Sequence, residues 1–216
     1  KEVKLDTREE TKIEENNKEI KQWKRIEVLK DYRFYIICMT MLAMPWIATG
    51  SFVYQSFISS SKEWGPYVIA QSFMAYSILS VITLFISGFL IDKFSSRKLL
   101  IYMNIPLLFG TIVLYYFDAP LSSFVFFGLV GVTNGLANVL GSSTWAEIYG
   151  VKYIGSIKAL TTALMVFSTA FGTALFGFLI DIGFSIEDIA VVSGTYIFGS
   201  IILLYLVKNK LNPHYL

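Results

Sequence analysis

Six runs of apolar residues, at about 34–58, 66–91, 99–117, 121–144, 157–181 and 188–208, carry no Asp, Glu, Lys, Arg or His near their middles. About 20 residues at 1.5 Å rise cross a hydrocarbon core of about 30 Å, so each run can span a bilayer, the third with little to spare. Inside lipid every backbone polar group needs an internal partner, which leaves helices or closed barrels. The runs are continuous and lack the alternation of barrel strands, so they predict helices. With 55% hydrophobic and only 16% charged residues in 216, a water-soluble domain is excluded.

The net charge of +2 conceals a sharp partition. Residues 1–33 hold ten Lys/Arg and nine Asp/Glu and predict a solvated cytoplasmic linker. Near its end Ile20, Trp23, Ile26, Val28 and Leu29 alternate with basic residues, the pattern of an amphipathic segment on lipid headgroups. Residues 34–211 then form the six-helix bundle and 212–216 a short tail. Lys93, Arg97, Lys98, Lys152, Lys158, Lys208 and Lys210 fall at one end of the bundle, whereas the other end holds Lys62 among Glu63, Asp118, Asp181, Glu187 and Asp188. The basic end is expected in the cytoplasm, with both termini. The single cysteine, Cys38, excludes an intrachain disulfide. The first residue is Lys1, and the chain reads as a piece of a longer polypeptide.

The sharpest motif is Gly88-Phe-Leu-Ile-Asp92-Lys93-Phe-Ser-Ser-Arg97-Lys98, joining the second and third runs. It resembles the loop signature of the major facilitator superfamily, with Ser95 and Ser96 where the family has one glycine. The pentapeptide GFLID recurs at Gly177–Asp181, at the opposite end of the fifth run. Those positions are equivalent in two inverted three-helix repeats, the nested symmetry of this transporter fold. Trp145-Ala-Glu147-Ile-Tyr149-Gly150, then Gly155, Gly172 and Gly177, is similar to bacterial members near the monocarboxylate and oxalate/formate porters.

The resemblance implies an all-α polytopic membrane protein, half of a twelve-helix fold, integral to a bacterial plasma membrane. It would be the C-terminal half, partnered by the lipid bilayer, a small-molecule substrate and a missing N-terminal six-helix half. Gly88, Asp92, Lys93, Arg97 and Lys98 would form a cytoplasmic gating motif, with Asp92 engaging a helix of the other half. Gly150 and Gly155 would permit a tight inner turn, and Gly172 and Gly177 close helix approach. The implied function is secondary transport of a small solute, in the organic-anion class, by alternating access. No cofactor and no nucleic-acid partner is implied.

Inside the membrane the fourth run is the most informative. Asn134, Asn138 and Ser142 recur every four residues and share one helix face, edged by Gly128, Gly131 and Gly135. Ser51, Tyr54 and Gln55 on the first run and Tyr76, with Gln71 and Ser80, on the second are further substrate-facing candidates. Each is also a candidate for bonding a neighbouring helix. Pro45 and Pro106 are expected to kink the first and third spans. Ser77 to Ser87, where proton-coupled monocarboxylate porters carry a charged pair, is uncharged. A six-helix channel or scaffold is the alternative. An intramembrane serine enzyme built on Ser142 or Ser143 lacks a base, because the only histidine is His214 in the tail.

Overall fold

A computed structural model describes residues 21–213. Most of the expected linker, residues 1–20, and residues 214–216 of the tail lie outside the described residues. Six helices long and apolar enough to cross a membrane run Tyr32–Val53, Val68–Lys93, Ser96–Tyr116, Pro120–Tyr149, Ile154–Asp181 and Ile186–Lys210. No strand occurs among the described residues.

Helix interruptions explain where local expectation and structure part. The first span stays one helix through Pro45, ends at Tyr54 and resumes as a short helix, Gln55–Ser61. The third is built in pieces: Ser96–Leu99, a 3₁₀ turn Leu100–Tyr102, and Ile105–Tyr116. Pro106 therefore opens a helix rather than kinking one, since a first-turn N–H has no intrahelical acceptor to lose. Asn104, fully enclosed at the break, donates from Nδ2 to the Thr40 carbonyl at 2.6 Å and ties the third span to the first.

The closest pairings obey the inverted repeat. The second span packs along the fourth and the fifth along the first; the third meets the fourth and the sixth meets the first. Third and sixth also pack together, as do first and fourth. Exchanging the first three spans with the last three maps every one of these pairings onto another or onto itself. The fold is thus two inverted three-helix repeats, with the second span, of which few residues are buried, and the fifth left on the flanks.

The two ends differ chemically. At one, Lys62 is 3% exposed, and its Nζ meets Asp118 Oδ1 at 2.5 Å and Glu187 Oε1 at 2.7 Å, while Trp64 Nε1 donates to the Asp118 carbonyl at 2.7 Å. One lysine so joins three loops. Burial pulls its pKa down, yet the bonds to Asp118 and Glu187 outweigh that and hold it above the ordinary lysine range. A raised folded pKa stabilises fully below the unfolded value and loses its effect as pH rises through the folded one. Because Asp118 is well exposed, the pairs are partly screened, and Lys62→Met should lower stability by about 1–2 kcal/mol. Thermal unfolding in detergent measures this; a deficit that persists unchanged at pH 11 would assign the loss to packing instead.

At the opposite end Trp23, Val28 and Ile148 enter an apolar cluster with Phe34, Trp145 and Leu204. Trp23 N–H donates to the Tyr149 carbonyl at 3.0 Å, and its ring meets that of Tyr149 edge-on at 5.4 Å. The segment read as lying on headgroups docks here on the bundle as a five-residue helix, Arg25–Leu29, with Val28 buried and Ile26 exposed.

Candidate transport face and inner-end network

Glycines set the geometry of the face. A Cβ on Gly131 would run into the Tyr76 carbonyl and lie 3.0 Å from its Cα, and one on Gly135 would lie 2.6 Å from the Ser80 carbonyl. The second and fourth spans therefore touch backbone to backbone. That closeness lets Asn134 Nδ2 donate to Ser80 Oγ at 2.8 Å. One turn on, Asn138 Nδ2 donates to the Asn134 carbonyl at 2.9 Å, and both Asn138 and Ser142 are exposed.

Phe127 precedes Asn134 by two turns on the same face, about 10 Å along the axis. Its ring lies 5.9 Å from Phe52 and 5.1 Å from Phe73. These two, with Gln55, Tyr76 and Ser77, line an open pocket of about 330 Å³. A stripe of amides and hydroxyls and an aromatic pocket with a glutamine and a tyrosine thus share one side of the bundle. The arrangement can hydrogen-bond a small polar molecule and stack an apolar part of it; it offers no charge.

Other candidates go elsewhere. Ser51 is buried and donates to the Ile47 carbonyl at 2.8 Å. Tyr54 stacks on Phe176, and its hydroxyl sits where a side chain on Gly177 would be. Gly172 admits the backbone of Trp46, so Gly172 and Gly177 both serve the contact of the fifth span with the first. Gln71 is exposed.

The charged loop divides in two. Arg97 Nε pairs with Glu147 Oε1 at 3.0 Å, and Arg97 Nη1 donates to Asn212 Oδ1 at 2.7 Å. Glu147 also accepts from Ser95 Oγ and Ser96 Oγ, each at 2.5 Å. Ser95 has φ +47°, a region that favours glycine, so two hydroxyl bonds to one carboxylate hold the turn that glycine would otherwise make. Asp92, Lys93 and Lys98 are exposed, and none of their side chains makes a hydrogen bond or ion pair among the described residues. A carboxylate at a helix C-terminus is unfavourable without a partner, so nothing within this bundle accounts for Asp92.

Of the remaining glycines, Gly150 has φ +83° and closes the fourth helix against Gln22. Gly155 lies inside the fifth helix with open space around its Cα, so it forms no part of the turn expected of it. Gly88 likewise meets nothing within 4 Å.

Unforeseen from sequence is a buried cluster below the first span. Asp31 caps that helix by accepting from Arg33 N–H at 3.0 Å, and its carboxylate pairs with the Arg33 guanidinium at 2.7 Å. Tyr149 Oη donates to Asp31 Oδ2 at 3.0 Å, and Arg33 Nη1 donates to the carbonyls of Lys210 and Asn212 at 2.9 and 3.1 Å. The start of the first span, the end of the fourth and the C-terminal segment are fastened at one point.

A sequence profile of the Major Facilitator Superfamily matches residues 35–214. No curated protein and no solved structure matches the chain.

Proposed function

The chain belongs to the Major Facilitator Superfamily, whose members are membrane transporters, and on that premise we propose that it is the C-terminal six-helix half of a secondary transporter working by alternating access. The observation that carries this reading is the exposed stripe of Asn138 and Ser142 on a spanning helix, on the same helix face as Phe127, whose ring meets two walls of the pocket at Gln55 and Tyr76. An amide turned to hydrocarbon loses hydrogen bonds that nothing replaces, so the stripe belongs against a water-filled path. The opposite wall would come from a second six-helix bundle. Asp92, exposed and unpaired at the end of the second helix, suits a contact with that bundle, and its basic neighbours suit a cytoplasmic position for this end.

The substrate on this reading is a small polar solute gripped by amides, hydroxyls and aromatic rings. An organic anion, the class near the monocarboxylate and oxalate/formate porters, would draw its counter-charge from the other wall, because this face holds none.

Cysteine reactivity tests the reading without knowledge of the substrate. Thiols react as thiolates, which form in water and not in hydrocarbon, so Asn138→Cys and Ser142→Cys in a Cys38→Ser background should outpace Phe109→Cys about tenfold or more. The reagent is a hydrophilic maleimide added to open membrane sheets, and Phe109 is 57% exposed on the third span. Equal, slow labelling of all three would place the stripe against lipid or protein and defeat the proposal.

A further inference from the structure

We infer that the groove between the third and sixth spans at the basic end is a binding site for an anionic phospholipid. The groove encloses about 670 Å³ and is walled by Arg97, Lys98 and Lys208 at its mouth and by Ile101, Ile105 and Ile201 further along the helices. No carboxylate lines it. Its three charges are not equivalent. Arg97 is neutralised by Glu147, whereas Lys98 makes no ion pair among the described residues, and the Lys208 ammonium rests 3.5 Å above the Tyr205 ring. Two ammonium groups without carboxylate partners among the described residues, beside the amides of Asn209 and Asn212, therefore face the mouth of a groove whose floor is apolar.

Geometry selects the occupant. Third and sixth spans pack together, and the third meets the fourth at Phe126 and Leu129 beside Gly110, whereas Asn134 turns to Ser80 on the second span; the groove therefore opens to the bilayer and not to the proposed transport path. A phosphate at the headgroup level meets Lys98 and Lys208, and an acyl chain follows Ile105 and Ile201 inward. Tyr102 and Tyr205, also on the walls, suit the boundary between the two. A free anion would leave the isoleucine floor empty, and a zwitterionic lipid would bring its own cation against the lysines. Basic pockets between spanning helices of this kind are suited to anionic headgroups. The site is separate from the transport reading and does not depend on it.

The test is native mass spectrometry of the detergent-purified chain with phosphatidylglycerol and phosphatidylcholine of identical acyl chains. Near a surface each lysine contributes enough that two should favour the anionic lipid by about 30-fold. Lys98→Gln with Lys208→Gln should bring that preference to within about twofold of unity, while Lys152→Gln with Lys158→Gln leaves it intact. Ile105→Trp fills the floor and should reduce phosphatidylglycerol retention with both lysines present, so the inference does not hang on one variant. Unfolding midpoints of all variants are measured alongside. Equal retention of the two lipids, a preference that survives loss of both lysines in a folded variant, or full displacement by millimolar inorganic phosphate would each overturn the assignment.

Discussion

Replacing Gly131 by alanine should cost the chain most of its folded population in detergent. The added methyl would meet the Tyr76 carbonyl and lie 3.0 Å from both its carbonyl carbon and its Cα. Backbone cannot rotate aside as a side-chain tip can, so the second span must move away from the fourth. Overpacking costs about 1–3 kcal/mol in general and more where backbone is displaced, and here the Asn134–Ser80 bond is stretched as well. Gly128→Ala should be milder, because its methyl meets only the end of Leu79 at 2.9 Å. Gly141→Ala, with nothing within 4 Å, should be neutral or gain a few tenths of a kcal/mol from helix propensity. Size-exclusion recovery and the thermal midpoint rank the three. A Gly131→Ala protein that recovers and melts like wild type would refute the backbone contact between these spans.

The same seam shows which features were legible in the sequence. The fourth helix is unbroken from Pro120 to Tyr149, so a face drawn at 3.6 residues per turn through Asn134, Asn138 and Ser142 is real. Drawn through Ser51, Tyr54 and Gln55, the same construction fails, because the first helix breaks at Tyr54 and the short helix beyond it points its side chains differently. Gln55 reaches the pocket with Tyr76, while Ser51 is spent on its own helix and Tyr54 on the fifth span. Pro106 misled in a related way: its period fits a helix interior, but the turn that decides its position is set by Asn104 bonding to Thr40 on another span.

Charges were legible by number and not by role. Their segregation to two ends is visible in the sequence and reflects the cost of charge in lipid. Lys62 reads there as the odd cation of an acidic end, yet it is the buried tie of three loops. In the basic motif, Arg97 belongs to the internal network through Glu147, while Asp92 stays free. Nothing in the spacing separates these cases, because the partners lie 50 or more residues away.

Arg33 is the extreme of that problem and the site of the second large expected effect. Within a run of mixed charges it looks like Arg25, yet it is 3% exposed and its acceptors, the carbonyls of Lys210 and Asn212, are at the far end of the chain. Arg33→Ala should destabilise by about 3–5 kcal/mol, because it strands the Asp31 carboxylate, itself 8% exposed, without its counter-charge. Burial pushes the Asp31 pKa up, but hydrogen bonds from the Arg33 side chain and backbone, the guanidinium charge and the Tyr149 hydroxyl outweigh it and hold the group below the ordinary carboxylate range. A depressed folded pKa means stability that is fully present above the unfolded value, about 4, and lost as pH falls through the folded one. In the variant the guanidinium is gone and burial dominates, so Asp31 becomes easier to protonate and the variant gains relative to wild type in acid. The difference in unfolding midpoint between the two should therefore be greatest near pH 7 and narrow towards pH 4. Adding Asp31→Asn to Arg33→Met, which leaves no buried charge, should recover more than half of the loss. A deficit below about 1 kcal/mol, or one indifferent to both pH and the Asp31→Asn change, would mean that the pair is not buried as described.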